Sequence, residues 1–301
     1  MATTRQQFGT LLKVAISAGI VGFILTRVDL AALWRNARSV GSVTFAFVFA
    51  LSILQNVLCV IRWDVVMGAL SRRLRFWPAL QANYVSVCLG QCLPSVVGGD
   101  AYRIYWLYRQ GHALAVSIRA LLLDRISAVL ALVLMLGTGV PWILLRFHDV
   151  AVLTAVAVTL AGGVCAALAL LCGDRLPIAW RRLRVVAELA VLSASARRVL
   201  LVPYTGVQVM SLSLLVHTLT AVAMFVFARD MGLPLYFLDC VVLVPLLTVV
   251  SALPISIAGW GVREGAMVAA LSGLGVRPDQ SLVLSILLGI QPLLNGLIGA
   301  A

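Results

Sequence analysis

The sequence predicts an all-α integral membrane protein with about six full transmembrane helices and two re-entrant helical hairpins. Three observations predict it. Hydrophobic residues make up 62% of the 301 and charged ones 11%, with a mean hydropathy of +1.06, outside the soluble globular range. Apolar runs long enough to cross ~30 Å of hydrocarbon recur along the chain. Two stretches, "LPSVVGGDAYR" from Leu93 and "LPISIAGWGVRE" from Leu253, break such runs with proline, glycine and paired charges.

The full spans are expected at about 8–26, 41–61, 119–142, 150–172, 205–228 and 281–300. The first is not a cleaved signal peptide ahead of a soluble remainder, because similar spans follow it. The longest polar stretch, about 173–198, is a linker, so residues 1–301 read as a single transmembrane domain. The chain stops at "GLIGAA" with no polar tail, which reads as a truncated or unusually short terminus.

Charge supplies the orientation. Net charge is +12, and every one of the 23 cations but Lys13 is arginine. In a soluble protein that balance would suggest nucleic acid. Between apolar spans it marks topology and contact with anionic lipid headgroups, so no nucleic-acid partner is expected. Arg175, Arg181, Arg182, Arg184, Arg197 and Arg198 crowd the linker, which the positive-inside rule places in the cytoplasm. Counting spans from there puts the N-terminus, Arg62–Arg75 and Arg103–Arg119 on the cytoplasmic side of a cytoplasmic (inner) membrane, and Arg146–Asp149 outside. Arg27, Arg35 and Arg38 fall outside, against the rule.

The remaining stretches, about 78–110 and 235–275, share one plan: an apolar half ending in Leu-Pro, a glycine-rich turn, and a charged second half. Asp100, Arg103 and Arg109 interrupt one second half, Arg263 and Glu264 the other, and charges at the bilayer centre are too costly for a full span. A hairpin that dips in and returns to the same side is expected instead. Its non-helical turn needs cover from protein or a water-filled cavity. Leu93-Pro94 aligns with Leu253-Pro254, Gly99 with Gly259 and Arg103 with Arg263, each pair 160 residues apart. The same offset lays 41–61 on the start of 205–228 and 119–142 on 281–300. One span and the linker separate the units, about 41–142 and 201–301, so their hairpins enter from opposite sides. That is an inverted repeat, whose broken segments point to a transporter's central site.

The motif chemistry suits an anion. Pro94 and Pro254 end the first half-helices. Gly98 and Gly99 let backbone turn and approach a ligand. A helix starting near Asp100 aims its positive end into the membrane, suited to phosphate, with Asp100 as an N-cap the plain alternative. Arg103 either forks onto a phosphate or pairs with Asp100. Gly259, Gly261, Arg263 and Glu264 repeat the arrangement, with Glu264 as partner to Arg263. In the inverted reading Arg103 and Arg263 approach one cavity from opposite leaflets, held at rest by Asp100 and Glu264. A purely structural arginine–carboxylate lock is the competing reading.

Asp124 and Arg125 lie one to two turns into an apolar span, as site residues or as side chains snorkelling to the interface. His217 reads as a hydrogen-bonded interior histidine, Gln91 and Gln291 as lining one cavity, and Tyr102, Tyr105, Trp106 and Tyr108 as an interfacial belt. Cys59, Cys88, Cys92, Cys165, Cys172 and Cys240 act as small hydrophobes with no metal set around them. The chain has no G-x-S-x-G, H-E-x-x-H or Walker sequence. No cofactor or metal is expected.

"LPSVVGGDAYRIYWLYRQG" with "SIRALLLDRISAVLAL", and later "LPISIAGWGVREGAMV", resemble the lysylphosphatidylglycerol synthase transmembrane-region family. These are flippase-like multi-pass membrane proteins related to the N-terminal half of the multiple peptide resistance factor. The resemblance covers essentially the whole chain and places Gly98, Gly99, Asp100, Arg103, Asp124, Arg125, Gly259, Gly261, Arg263 and Glu264 on the family's motif positions. It implies a flippase or transporter for an anionic or phosphate-bearing lipid: a phospholipid, a polyprenyl-phosphate glycolipid or a hopanoid-type lipid. The soluble aminoacyltransferase domain is absent, so lysine transfer is not expected. Two alternatives stand beside it. One is a membrane transferase using Asp100 or Glu264 as base. The other is a non-catalytic accessory subunit with a partner synthase or glycosyltransferase. Homo-oligomerisation stays open.

Overall fold

The computed structural model describes residues 39–92, 97–147, 149–173, 184–252 and 260–300. The described residues form eleven α-helices and no strand. In order they are α1 Ser42–Leu70, α2 Phe76–Cys92, α3 Val97–Arg109, α4 Leu114–Thr138, α5 Val140–Arg146 and α6 Val150–Cys172. Then come α7 Arg184–Leu200, α8 Pro203–Asp230, α9 Phe237–Ala252, α10 Val262–Ser272 and α11 Pro278–Ala300. Helices α1, α4, α6, α8 and α11 are long and apolar enough to cross a membrane, so this is a multi-pass membrane protein. They coincide with five expected spans; the sixth, about 8–26, lies outside the described residues.

Two span boundaries differ from expectation. Helix α1 runs through Arg62 to Leu70 because Trp63, Val65, Val66 and Met67 continue its buried face. A charge on that face ends nothing when protein neutralises it. The stretch 119–142 is two helices, since α4 closes at Gly139 and Pro141 starts α5. A Cβ at Gly139 would stand 2.7 Å from the Val242 side chain.

Each expected hairpin is a pair of helices, α2 with α3 and α9 with α10. The connecting residues 93–96 and 253–259, and so Pro94, Pro254 and Gly259, lie outside the described residues. Helices α3 and α10 finish with the same cap. Gly111 (φ +84) and Gly275 (φ +77) reverse the chain. The next N–H groups, of His112 and Val276, donate to Leu107 and Leu271 carbonyls at 3.2 Å. The first pair meets the end of α1, where Arg72 donates to the Gln110 carbonyl and Ser71 Oγ lies 3.4 Å from His112 Nδ1. The start of α1 meets the other pair's side of the bundle: Gly41 N–H donates to Asp230 at 2.7 Å, just before α9.

Two apolar clusters divide the core. One gathers Val48, Met135, Phe227 and Leu243, the other Val60, Trp63, Leu123 and Val209. Between them along the spans lies a polar layer: Ser52, Gln55 and Asn56 on α1, Asp124 and Ser127 on α4, Ser213, His217 and Thr220 on α8. Helix α11 lies close along α2, because Gly296 stands against Cys88 Cα and Gly299 against the Tyr84 backbone. This crossing brings Gln291 and Asn295 to the polar layer.

Candidate functional site

One buried carboxylate organises the first site. Asp124 is fully buried on α4 and faces two arginines. Arg62 Nε donates to Asp124 Oδ1 at 2.8 Å and Arg62 Nη1 to Ser213 Oγ at 3.2 Å. Arg103 Nη1 donates to Asp124 Oδ2 at 3.1 Å, with its guanidinium 4.1 Å from the Trp63 ring centroid. Arg103 is 3% exposed, yet its Nε and Nη2 have no partner among the described residues. Beside this trio Arg125 clasps Asp100 at 2.5 and 3.3 Å. Three arginines share two carboxylates, so the cluster keeps one surplus positive charge.

These residues line a cavity of about 350 Å³, with Asn56, Asn83 and Gln91 on its wall and Thr248 and Ser251 contributed by α9. A second cavity of about 270 Å³, lined by Gln55, Gln291 and Asn295, shares Asn56, Val87 and Pro292 with the first. A third of about 200 Å³ reaches Arg263, sharing Thr248 and Ser251 with the first and Thr220 and Leu288 with the second.

The second arginine site is closed. Arg263 Nε and Nη2 donate to Glu264 Oε1 at 3.0 and 2.5 Å, and Nε also reaches Ser285 Oγ at 3.2 Å. Glu264 Oε2 accepts the Gly261 N–H at 2.5 Å, which fixes the start of α10. Gly261 holds φ +86, so a side chain there would be strained. Gly289 makes room for the guanidinium, since a Cβ there would overlap it.

The structure thus brings Gly99, Asp100, Arg103, Asp124 and Arg125 to one cavity. It separates them from Gly261, Arg263 and Glu264, which Thr248 and Ser251 bridge. Gly98 is half-buried in the first turn of α3. Several expectations change. Asp100 holds Arg125 and Asp124 holds Arg103, because α4 packs against α3 and brings its buried face to the arginine. Gly99 serves helix approach: Ser86 Oγ donates to its carbonyl at 2.8 Å, and a Cβ would overlap the Ser86 carbonyl oxygen. Gln91 and Gln291 line adjoining cavities. Of the aromatics, Tyr105 and Tyr108 are exposed, whereas Trp106 packs on Trp63 at 5.6 Å between centroids. His217 is an interior histidine bonded at 3.1 Å to the Ala128 carbonyl. Among the described residues, Cys59, Cys88, Cys165, Cys172 and Cys240 form no disulfide, and no group of metal-ligating side chains assembles.

Sequence reasoning missed Arg62, Ser285 and Asn295. Arg62 carried a signal, since the apolar "VVMGAL" after it shows that the helix continues.

Among curated proteins none matches the chain. The pattern of the family described as Lysylphosphatidylglycerol synthase TM region matches residues 10–299, and the chain belongs to that family.

Proposed function

We propose that this chain moves an anionic, phosphate-bearing lipid across a cytoplasmic membrane, with the headgroup in the central cavities and the tails in the bilayer. The carrying observation is Arg103: a buried guanidinium with two unpartnered nitrogens, Nε and Nη2, in a cluster of surplus positive charge. A buried donor left unpaired costs about 1–3 kcal/mol. A phosphate accepts from both through charge-assisted bonds and neutralises the surplus.

In this reading the hairpins are re-entrant from opposite faces, as units of an inverted repeat, with the N-terminus cytoplasmic. The contacts of the first hairpin's feet with the C-terminal end of α1, and of α1's start with Asp230 before α9, support it. The chain of cavities from Arg103 to Arg263 supplies the route. The arginines play unequal parts. Arg103 receives the headgroup, and Arg263 must exchange Glu264 for phosphate before taking it over.

Proteoliposomes carrying fluorescent phosphatidylglycerol or polyprenyl-phosphate probes test the reading. Wild-type protein moves a probe between leaflets without changing it on thin-layer chromatography, and Arg103→Gln slows movement at least tenfold while the purified protein stays folded. A covalently altered probe would point to a transferase. Equal rates with and without protein for both probes would end the proposal.

A further inference from the structure

Arg103 and Arg263 differ at the same two atoms. At the second site Arg263 Nε and Nη2 both donate to Glu264 Oε1, at 3.0 and 2.5 Å. At the first site Nε and Nη2 are the nitrogens of Arg103 without a partner among the described residues, although Asp124 lies against the same guanidinium. A carboxylate beside an arginine readily takes two of its N–H groups at once. Half of Asp124 is withheld from Arg103.

Arg62 withholds it. Its Nε donates to Asp124 Oδ1 at 2.8 Å, which leaves Oδ2 for Arg103 Nη1 at 3.1 Å. Helix α8 ties Arg62 in place. Ser213 Oγ gives its proton to the Val209 carbonyl at 2.8 Å and so accepts from Arg62 Nη1 at 3.2 Å. Arg62 is 3% exposed and, unlike Arg103, has no buried nitrogen without a partner. The next residue on α1, Trp63, lies against Arg103, with the guanidinium 4.1 Å from its ring centroid. Two neighbouring residues of one helix therefore set where Arg103 sits and how far it is neutralised. The other nearby acid is no substitute, because Arg125 occupies both oxygens of Asp100.

We infer that Arg62 is a positioning residue of the anion site: it keeps Asp124 from closing on Arg103, and so keeps two donors and one positive charge available to a headgroup that Arg62 itself does not touch. The inference rests on the anion reading of Arg103 and adds the residue that maintains it. Without Arg62 the cluster holds two arginines and two acids. Asp124 then turns both oxygens to Arg103, and the first site closes as the second one has.

Binding of dihexanoyl phosphatidylmethanol, a lipid with a single phosphodiester charge, to the purified full chain tests it. The ligand-induced rise in unfolding temperature reads affinity and folding on one sample. Arg62→Gln should weaken binding roughly tenfold or more, the worth of one charge-assisted hydrogen bond, and stay folded because Arg103 takes up the freed oxygen. Removing the acid as well, in the double variant Arg62→Gln with Asp124→Asn, restores the surplus charge and should return affinity to the wild-type level. A purely structural role does not predict that a second loss repairs the first. Arg62→Lys keeps the charge and a donor for Oδ1 but loses the fork, so it should bind like wild type. Wild-type affinity in Arg62→Gln, loss of its fold, or weak binding that persists in the double variant would each overturn the inference. Should the double variant not fold, Arg62→Lys decides, since weakened binding there would make Arg62 a direct contact of the phosphate. Arg103→Gln separates the two readings. If it binds like wild type, or if wild type itself does not bind, the anion reading falls and this inference with it. If Arg103→Gln binds weakly and Arg62→Gln does not, the anion site stands and the part given to Arg62 falls.

Discussion

The two hairpins present the same arginine in opposite states. Arg103 and Arg263 stand 160 residues apart in matching sequence, yet one shares its carboxylate with another arginine and the other has a carboxylate to itself. Arg103's acid comes from α4, and Arg62 already occupies half of it. Arg263's acid is the next residue on its own helix, supported by Ser285 and the Gly261 N–H. The difference teaches that matching sequence can place two arginines alike without fixing how each is neutralised. The first site keeps a surplus positive charge and unpartnered donors on Arg103, and the second is locked.

The largest expected effect comes from removing the two acids in parallel. Asp124→Asn leaves two buried guanidinium groups without a carboxylate, and breaking a buried pair from one side costs about 3–5 kcal/mol. Glu264→Gln frees one partly buried arginine and keeps an acceptor for the Gly261 N–H, so the loss should be nearer ~1–2 kcal/mol. Thermal unfolding in one detergent ranks them. If Glu264→Gln proves the more damaging, the second site, not the first, is the structural centre.

The close contacts of the two sites rank the same way. Gly99→Ala drives a Cβ into the Ser86 backbone carbonyl, which cannot move without parting α2 from α3. About 1–3 kcal/mol of stability should go with it. Gly289→Ala meets the end of the Arg263 side chain, which can rotate aside. Its cost should stay below about 1 kcal/mol. Equal losses, read from the same unfolding curves, would mean that Arg263 is held as rigidly as backbone.

How much of this was legible in the sequence divides along the same line. Five spans, both broken segments and the Arg263–Glu264 pair follow from hydropathy and from neighbours in sequence. The Arg62–Asp124–Arg103 cluster does not, because its members come from three helices and only packing unites them. Arg62 looked like a loop charge, since hydropathy registers a cation as an end to a span and cannot see the carboxylate that neutralises it. Asp124 was visible as an ion inside a span, but nothing in one sequence says which arginine it faces. Asn295 gave no signal, being one amide in an apolar helix that matters only because Gly296 and Gly299 let α11 close on α2.

The smallest effect is at the feet of the hairpins, where the caps match and the residue after each glycine differs. Val276 follows Gly275 and buries an apolar side chain, as such caps favour. His112 follows Gly111 in a turn outside the spans, and burial, helped by Arg72, holds its imidazole below the ordinary value. A histidine with a depressed pKa in the fold binds its proton more readily when unfolded. Its contribution to stability is therefore complete above the ordinary value of about 6.5 and declines as pH falls from there toward the folded value. His112→Val gives the first hairpin the second hairpin's residue and removes that decline. Unfolding measured between pH 7.5 and 5 should show the wild type losing stability relative to the variant only on the acid side. A constant gap across the range would mean that His112 matters by packing alone, and the two feet would then be equivalent.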